Sequence, residues 1–229
     1  MKPVRMMAYK TDMSVMQKMH PKRLKSIARY HSVDPTADSA DQLKAVYADW
    51  AESYDDDNDN KLGTVSQPTT VVMLARNAPD LSISILDVGC GTGLVGYHLA
   101  KTGFATFDGC DPSSEMMQRA RRRGYRDLRK LDPRKPLPFD EDSYDATLCV
   151  GVFTHQHLGP DGLDELLRVT KPGGLICFTV NEGVWGTAGF DKAIPALEAD
   201  GHWLILEQQK RNYMVKEGVQ GWYITARKT

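Results

Sequence analysis

Residues 85–96 read ILDVGCGTGLVG, an apolar strand-like run that breaks into the alternating glycines Gly89, Gly91 and Gly93 and then continues into a helix-forming stretch closed by Gly103. Few backbone paths fit that order. Glycine at such a junction lets the chain turn tightly and lets a ligand approach with no Cβ in its way. The segment therefore predicts a buried strand running into a ligand-binding turn at the start of a helix.

The same alternation recurs downstream. FATFDGCD reads as a strand, SSEMMQRARRRG as a helix capped by Ser113 and closed by Gly124, and YRDLRKLD as a weaker strand. YDATLCVGVF reads as a buried strand, PDGLDELLRVT as a helix, and GLICFTV as another buried strand after the turn KPGG. A helix near residues 187–200 precedes two strand-like runs, WLILEQQKR and GWYITARK, separated by a polar loop with Gly218. Repeated units of this kind predict an α/β fold, a mostly parallel sheet with helices on both faces and an antiparallel hairpin on one edge. Ligands of such sheets bind outside the carboxyl ends of the strands, at the switch point.

Upstream, Ser39 is placed to cap a helix from about residue 40, which is expected to stop near Tyr54, with the acids Asp55, Asp56, Asp57 and Asp59 as a solvated helix end and loop. A further helix is expected from about Val65 to Asn77. Residues 1–31 hold eight Lys and Arg against the single acid Asp12, a net of +7, which leaves 21 basic against 29 acidic side chains, or −8, for the rest. Six of the ten Met lie in that head, and Met13, Met16, Met19, Leu24 and Ile27 recur at helical intervals, so an amphipathic helix is expected there. The organisation predicted is a basic, Met-rich extension over 1–35, N-terminal helices over 36–78, and the core over 79–229.

A hydrophobic content of 41% and a charged content of 26% exclude a disordered, collagen-like or disulfide-scaffold chain. No apolar run approaches the roughly 18–20 residues that a membrane span needs. Cys90, Cys110, Cys149 and Cys177 form no CxxC pair, so free thiols in a reducing, cytoplasmic setting are expected.

Spacing alone leaves two cofactors open. Gly91, Gly93 and Gly96 also satisfy a dinucleotide fingerprint, and Asp111 lies 18 residues beyond Gly93, where a ribose-binding acid of an NAD(P) oxidoreductase belongs. Asp87 beside the loop acts against a pyrophosphate but favours a sulfonium and an ammonium, directly or through water; the structural alternative is that it hydrogen-bonds the loop backbone.

LDVGCGTG, the acid ending the next strand in GCDPSSEMM, then LPFDEDSYDATLCVGVFTHQHL and LRVTKPGGLICFT, resemble the successive motifs of class I S-adenosylmethionine-dependent methyltransferases, in their order and spacing across about residues 80–180. VYADWAESYDDD ahead of the glycine loop is similar to the Tyr, Trp, Tyr-Asp helix of the Williams-Beuren-region methyltransferase-like proteins. The resemblance implies a Rossmann-like, seven-stranded sheet whose sixth and seventh strands are antiparallel. It implies that Gly89, Gly91 and Gly93 line the methionine part of S-adenosyl-L-methionine, with Val150 and Gly151 near it. Asp111, followed by Pro112, would accept from both ribose hydroxyls, and Met116 would pack on adenine or simply in the core. Asp132, after Leu131, would face the adenine amino group, although Pro133 departs from the family pattern. Tyr47, Trp50 and Tyr54 would close over the cofactor, or pack as an aromatic stripe on the sheet edge.

Methyl transfer to a thiolate or neutral amine needs little beyond positioning, whereas a hydroxyl or protonated amine needs a base. His155 and His157, after the fourth long strand, are the candidate bases, with Tyr54 as a further candidate catalytic group; the alternative for the two His is packing or capping. The HxH pair suggests no metal, since a third ligand is not evident. Phe153, Trp185 and Phe190 suggest a pocket for a partly apolar small-molecule acceptor. Nine basic side chains over residues 119–135 keep RNA or protein as the alternative acceptor, although a basic run on a helix is usually a solvated face.

Overall fold

The computed structural model describes residues 40–154 and 158–229. The expected helix over residues 1–31 lies outside the described residues, as do His155 and His157. Seven strands form one sheet: β1 (Ile85–Val88), β2 (Phe107–Asp111), β3 (Leu128–Lys130), β4 (Tyr144–Phe153), β5 (Thr170–Asn181), β6 (Trp203–Met214) and β7 (Val219–Lys228). Their spatial order is β3-β2-β1-β4-β5-β7-β6. The first five run parallel, while β7 pairs antiparallel with both β5 and β6. The order reverses between β1 and β4, so the switch point falls where the glycine turn leaves β1.

Ten helical segments surround the sheet among the described residues. Those used below are α1 (Ala40–Trp50), α2 (Tyr54–Asp57, continued by a π-turn over Asn58–Leu62), α3 (Ser66–Asn77), α4 (Leu94–Thr102), α5 (Ser114–Ala120), α6 (Gly162–Val169), α7 (Glu182–Trp185) and α8 (Phe190–Ala199). Alternation along each strand sends successive side chains to opposite faces, which splits the apolar residues into two cores. Ile85, Phe107, Leu148, Leu175 and Cys177 pack with Val71 and Leu74 of α3 and Val95 and Leu99 of α4. Leu86, Cys110, Phe153, Ile176 and Phe178 pack on the other face with Leu163 and Leu166 of α6 and Phe190 and Ile194 of α8. All four residues of β1 are buried, as expected of a central parallel strand.

Several local expectations are corrected. The helix begun at Ser113 ends at Ala120, and Gly124 (φ +91°) shapes the turn that follows. KPGG is a bulge within β5 rather than a turn before it: the register with β4 steps from Tyr144↔Thr170 to Ala146↔Leu175. The first helix stops at Trp50, and the chain re-enters a helix at Tyr54. The acids Asp55, Asp56 and Asp57 thus fall in a first helical turn, where the exposed N–H groups favour them. The run is not simply solvated. Asp57 is fully buried, accepting from Trp50 Nε1 at 2.8 Å and Ser53 Oγ at 3.0 Å and pairing with Lys61 at 2.5 Å. No helix among the described residues is long and apolar enough to cross a membrane.

Candidate functional site

The glycine turn is sewn to the neighbouring strand end. Gly89 and Cys90 donate their N–H groups to Cys110 O at 2.8 and 3.0 Å, and Gly91 N–H donates to Asp111 Oδ2 at 2.9 Å. Gly89, Gly91 and Gly93 take φ values of +76°, +54° and +88°. At Gly91 an added Cβ would meet nothing within 4 Å, so the space beside it is open and the left-handed backbone is what demands glycine.

Asp111 ends β2 and is 9% exposed. Its Oδ1 accepts from Ser113 N–H at 2.8 Å, so both carboxylate oxygens are oriented by backbone donors. Each retains a further lone pair. Burial pushes its acid up to about 6, against the pull of the two N–H groups. Pro112 bridges Asp111 to α5, where the N–H of Met116 is capped by Ser113 Oγ at 3.3 Å and Met116 itself is 2% exposed.

Asp87 is 1% exposed within β1. Its Oδ2 accepts from the Tyr125 hydroxyl at 2.6 Å, while its buried Oδ1 has no hydrogen-bond partner among the described residues. The structural alternative expected its partner to be loop backbone; the partner found is a tyrosine 38 residues away. Burial drives its acid up to about 7, opposed by the Tyr125 hydrogen bond and assisted by the charge of Asp111. On the far side of β1, Val150 is buried, and Gly151 (φ +81°) donates its N–H to Thr179 Oγ1 at 3.1 Å. Parallel pairing of β1 with β2 and β4 thus brings Asp87, Asp111, Val150 and Gly151 to one edge of the sheet.

Leu131 donates its N–H to Asp111 O at 3.2 Å and is partly buried against the α6–α8 core. Asp132 is engaged on both oxygens by Arg134, at 2.9 Å from Nε and 2.6 Å from Nη2. Tyr47, Trp50 and Tyr54 contact one another, with ring centroids 6.1 Å apart for Tyr47 and Trp50 and 5.0 Å for Trp50 and Tyr54. Their segment is fastened to the glycine turn: Thr92 Oγ1 donates to Asp55 Oδ1 at 2.6 Å, and Arg123 Nη2 pairs with Asp55 Oδ2 at 2.5 Å. Arg119 Nη2 also donates to Glu52 O at 2.6 Å. A carboxylate seated on this turn opposes a pyrophosphate there.

Two of the three aromatics expected to line an acceptor pocket do not. Phe153 and Phe190 are fully buried, 5.1 Å apart in the core, because their strand and helix face each other across it. Trp185 is partly buried and stacks on Trp222 at 4.4 Å. Five of the nine basic side chains of the run are paired within the fold: besides Arg119 and Arg123 on Asp55, Arg126 pairs with Asp108, Arg129 with Asp127 and Arg134 with Asp132. All four cysteines are free and buried.

Asp55, Thr92 and Tyr125 escaped sequence reasoning. The trace that pointed to Tyr125 was Gly109 in the middle of β2, since an isolated glycine inside a strand marks close approach by another group.

A family model described as a methyltransferase domain matches residues 86–178. Human methyltransferase-like protein 27 is 32% identical over 182 residues, covering 77% of this chain and 74% of its own. The demethylmenaquinone methyltransferase of Clavibacter sepedonicus is 32% identical over 188 residues, covering 79% and 76%. Among solved structures, magnesium protoporphyrin IX methyltransferase from Synechocystis PCC 6803 with bound S-adenosylmethionine superposes with a TM-score of 0.60 at 15% identity, over 81% of this chain and 97% of that one.

Proposed function

This chain belongs to the class I S-adenosylmethionine-dependent methyltransferases, and on that premise we propose that it methylates a small-molecule acceptor at oxygen, nitrogen or sulfur. Its cofactor is S-adenosyl-L-methionine, and the NAD(P) oxidoreductase alternative is set aside. The residues suit that cofactor on one observation: Asp87 Oδ1 is a buried carboxylate oxygen beside the glycine turn with no hydrogen-bond partner among the described residues, a group that a cation satisfies and a pyrophosphate does not. When bound, the cofactor supplies an electrophilic methyl on a sulfonium.

The chain's residues have the following roles in this reading. Gly89, Gly91 and Gly93, with Val150 and Gly151, hold the methionine portion, and Asp87 takes its cationic end. The outer lone pairs of Asp111 receive the ribose hydroxyls, and Met116 packs on adenine. Pro112 and Leu131 set the walls beside Asp111. Asp132 reaches the adenine amino group only by sharing its carboxylate with Arg134. Tyr47, Trp50 and Tyr54, held down by Asp55, cover the site and exclude water. His155 and His157, with Tyr54, take the acceptor's proton where the acceptor is a hydroxyl or protonated amine.

The internal pairing of five arginines of the 119–135 run supports a small acceptor over nucleic acid, since those charges already have carboxylate partners. Two of the relatives above also carry small organic acceptors in their names. The test is incubation of the enzyme with labelled methyl donor in a metabolite extract, in total RNA and in a protein fraction. Label in a low-molecular-mass product is expected; label confined to RNA or protein would overturn the assignment of acceptor class.

A further inference from the structure

The ring of Tyr125 occupies a slot that three glycines open. Tyr125 lies in the turn between α5 and β3. A Cβ on Gly96, in the first turn of α4, would stand 2.3 Å from its Cε2; one on Gly93 would stand 2.9 Å from the same atom, and one on Gly109 of β2 would stand 2.8 Å from Cε1. Side chains do not approach that closely, so the glycines and the ring form one fitted unit. Phe107 meets the ring edge-on at 5.1 Å and completes the seat.

Seated there, the hydroxyl accepts from Gly96 N–H at 3.0 Å and donates to Asp87 Oδ2 at 2.6 Å. Gly96 N–H is one of the helix-start donors that have no partner within the helix. The phenol therefore relays the positive end of α4 to a buried carboxylate. We propose that Tyr125 is a positioning residue for the cofactor, a phenol that anchors Asp87 through Oδ2 and leaves Oδ1 free to receive the cofactor's ammonium. The inference rests on the reading of Asp87 as the cation-binding carboxylate.

Asp87 is poor in other support. The ionisable groups around it are Cys90 on the turn, Cys110 and Asp111 on β2, Cys149 on β4 and Tyr125 itself, and all but the last oppose or ignore its charge. Without the phenol donor, the carboxylate satisfies itself by taking a proton, and a neutral acid binds an ammonium weakly.

The test is calorimetric titration of S-adenosylhomocysteine against pH for the wild type, Tyr125→Phe and Asp87→Asn. The phenylalanine keeps the slot filled. In the wild type, affinity should fall as pH drops through about 7. Tyr125→Phe should bind about 10-fold more weakly at neutral pH, the worth of one hydrogen bond to a charged group, with its midpoint moved upward and part of the loss recovered at higher pH. Asp87→Asn should bind weakly throughout and keep only the lower limb that Asp111 contributes. Superimposable profiles for the wild type and Tyr125→Phe would overturn the role of Tyr125 and leave Asp87 intact as the cation site. An Asp87→Asn protein that binds as tightly as the wild type would overturn the Asp87 reading itself. Should Tyr125→Phe fail to fold, 3-fluorotyrosine incorporation strengthens the same donor without changing its shape. It should move the wild-type midpoint downward, and an unmoved midpoint refutes the proposal.

Discussion

At the scale of single residues, the acids proposed to meet the cofactor and the core aromatics predict different outcomes. Asp111→Ala removes a carboxylate held by two backbone N–H groups and should abolish measurable S-adenosylhomocysteine binding; unchanged affinity in calorimetry would remove the ribose role. Phe190→Ala should leave that affinity near wild type while lowering stability by about 3–5 kcal/mol in urea unfolding, the usual result of truncating a buried aromatic. The difference between the two was only half legible in the sequence. Asp111 could be found because it sits a fixed distance from the glycine loop. Phe190 was mistaken for a pocket wall because an aromatic after a strand reads the same whether its helix turns it inward or outward. Tyr125 was missed for a related reason: its contacts with Asp87, Gly96 and Gly109 exist only once three separate elements are stacked.

At the scale of elements, the segment from Tyr54 to Leu62 carries the main surprise. Its acids looked like a solvated charge run because each partner is remote in sequence: Thr92 is 37 residues from Asp55, and Arg123 is 68. Folded, Asp55 is a clasp between this segment and the glycine turn. Asp55→Ala should raise amide exchange across residues 45–62 and speed S-adenosylhomocysteine dissociation by about 10-fold, as expected when a charge-assisted pair is lost. Stopped-flow and exchange measurements check it; wild-type values in both would show that the clasp does not govern access. Asp57→Ala acts differently. It strands Trp50 Nε1 and Lys61 beside a buried gap, so it should lower the melting temperature before it changes binding.

At the scale of the whole molecule, the alternation of short β-rich runs with helical stretches carried most of the architecture. Period-two burial in β5 serves two cores at once, Leu175 and Cys177 on one face and Ile176, Phe178 and Val180 on the other. The bulge at KPGG was not legible, because a glycine pair gives the same signal for a turn and for an outward loop within a ladder. One global consequence is a pH dependence with a definite sign. Asp87 and Asp111 hold their protons up to about 7 and about 6 in the folded state, against an ordinary value of 3.8. The native state therefore binds more protons than the unfolded one between these limits, and stability falls as pH rises from about 4, up to about 6 for Asp111 and about 7 for Asp87, on the order of 1 kcal/mol per pH unit for each group within its own window. Asp145 works in the opposite direction and in a separate window: burial resists its ionisation, but Lys171 and Ser84 hold it down to about 2, so its contribution is lost only below about pH 4. Thermal melts of the cofactor-free protein should thus drop between pH 4 and 7, and Asp87→Asn should flatten that slope; a slope unchanged in the variant would show that Asp87 does not titrate there. Deletion of residues 1–31 should leave cofactor affinity unchanged. A loss of turnover in the truncated protein would then make that head part of the acceptor site.

The seat of Tyr125 also governs the order in which this protein can change. While the ring is present, any side chain at Gly96 or Gly109 collides with it. Once the ring is gone, Gly96 loses its three nearest obstructions, whereas a Cβ at Gly109 still meets Leu128 Cδ2 at 3.0 Å, and filling Gly96 bars the tyrosine from returning. Gly96→Ala should therefore be damaging in the wild type and nearly silent beside Tyr125→Ala, an epistasis that makes the loss of one phenol an evolutionary ratchet.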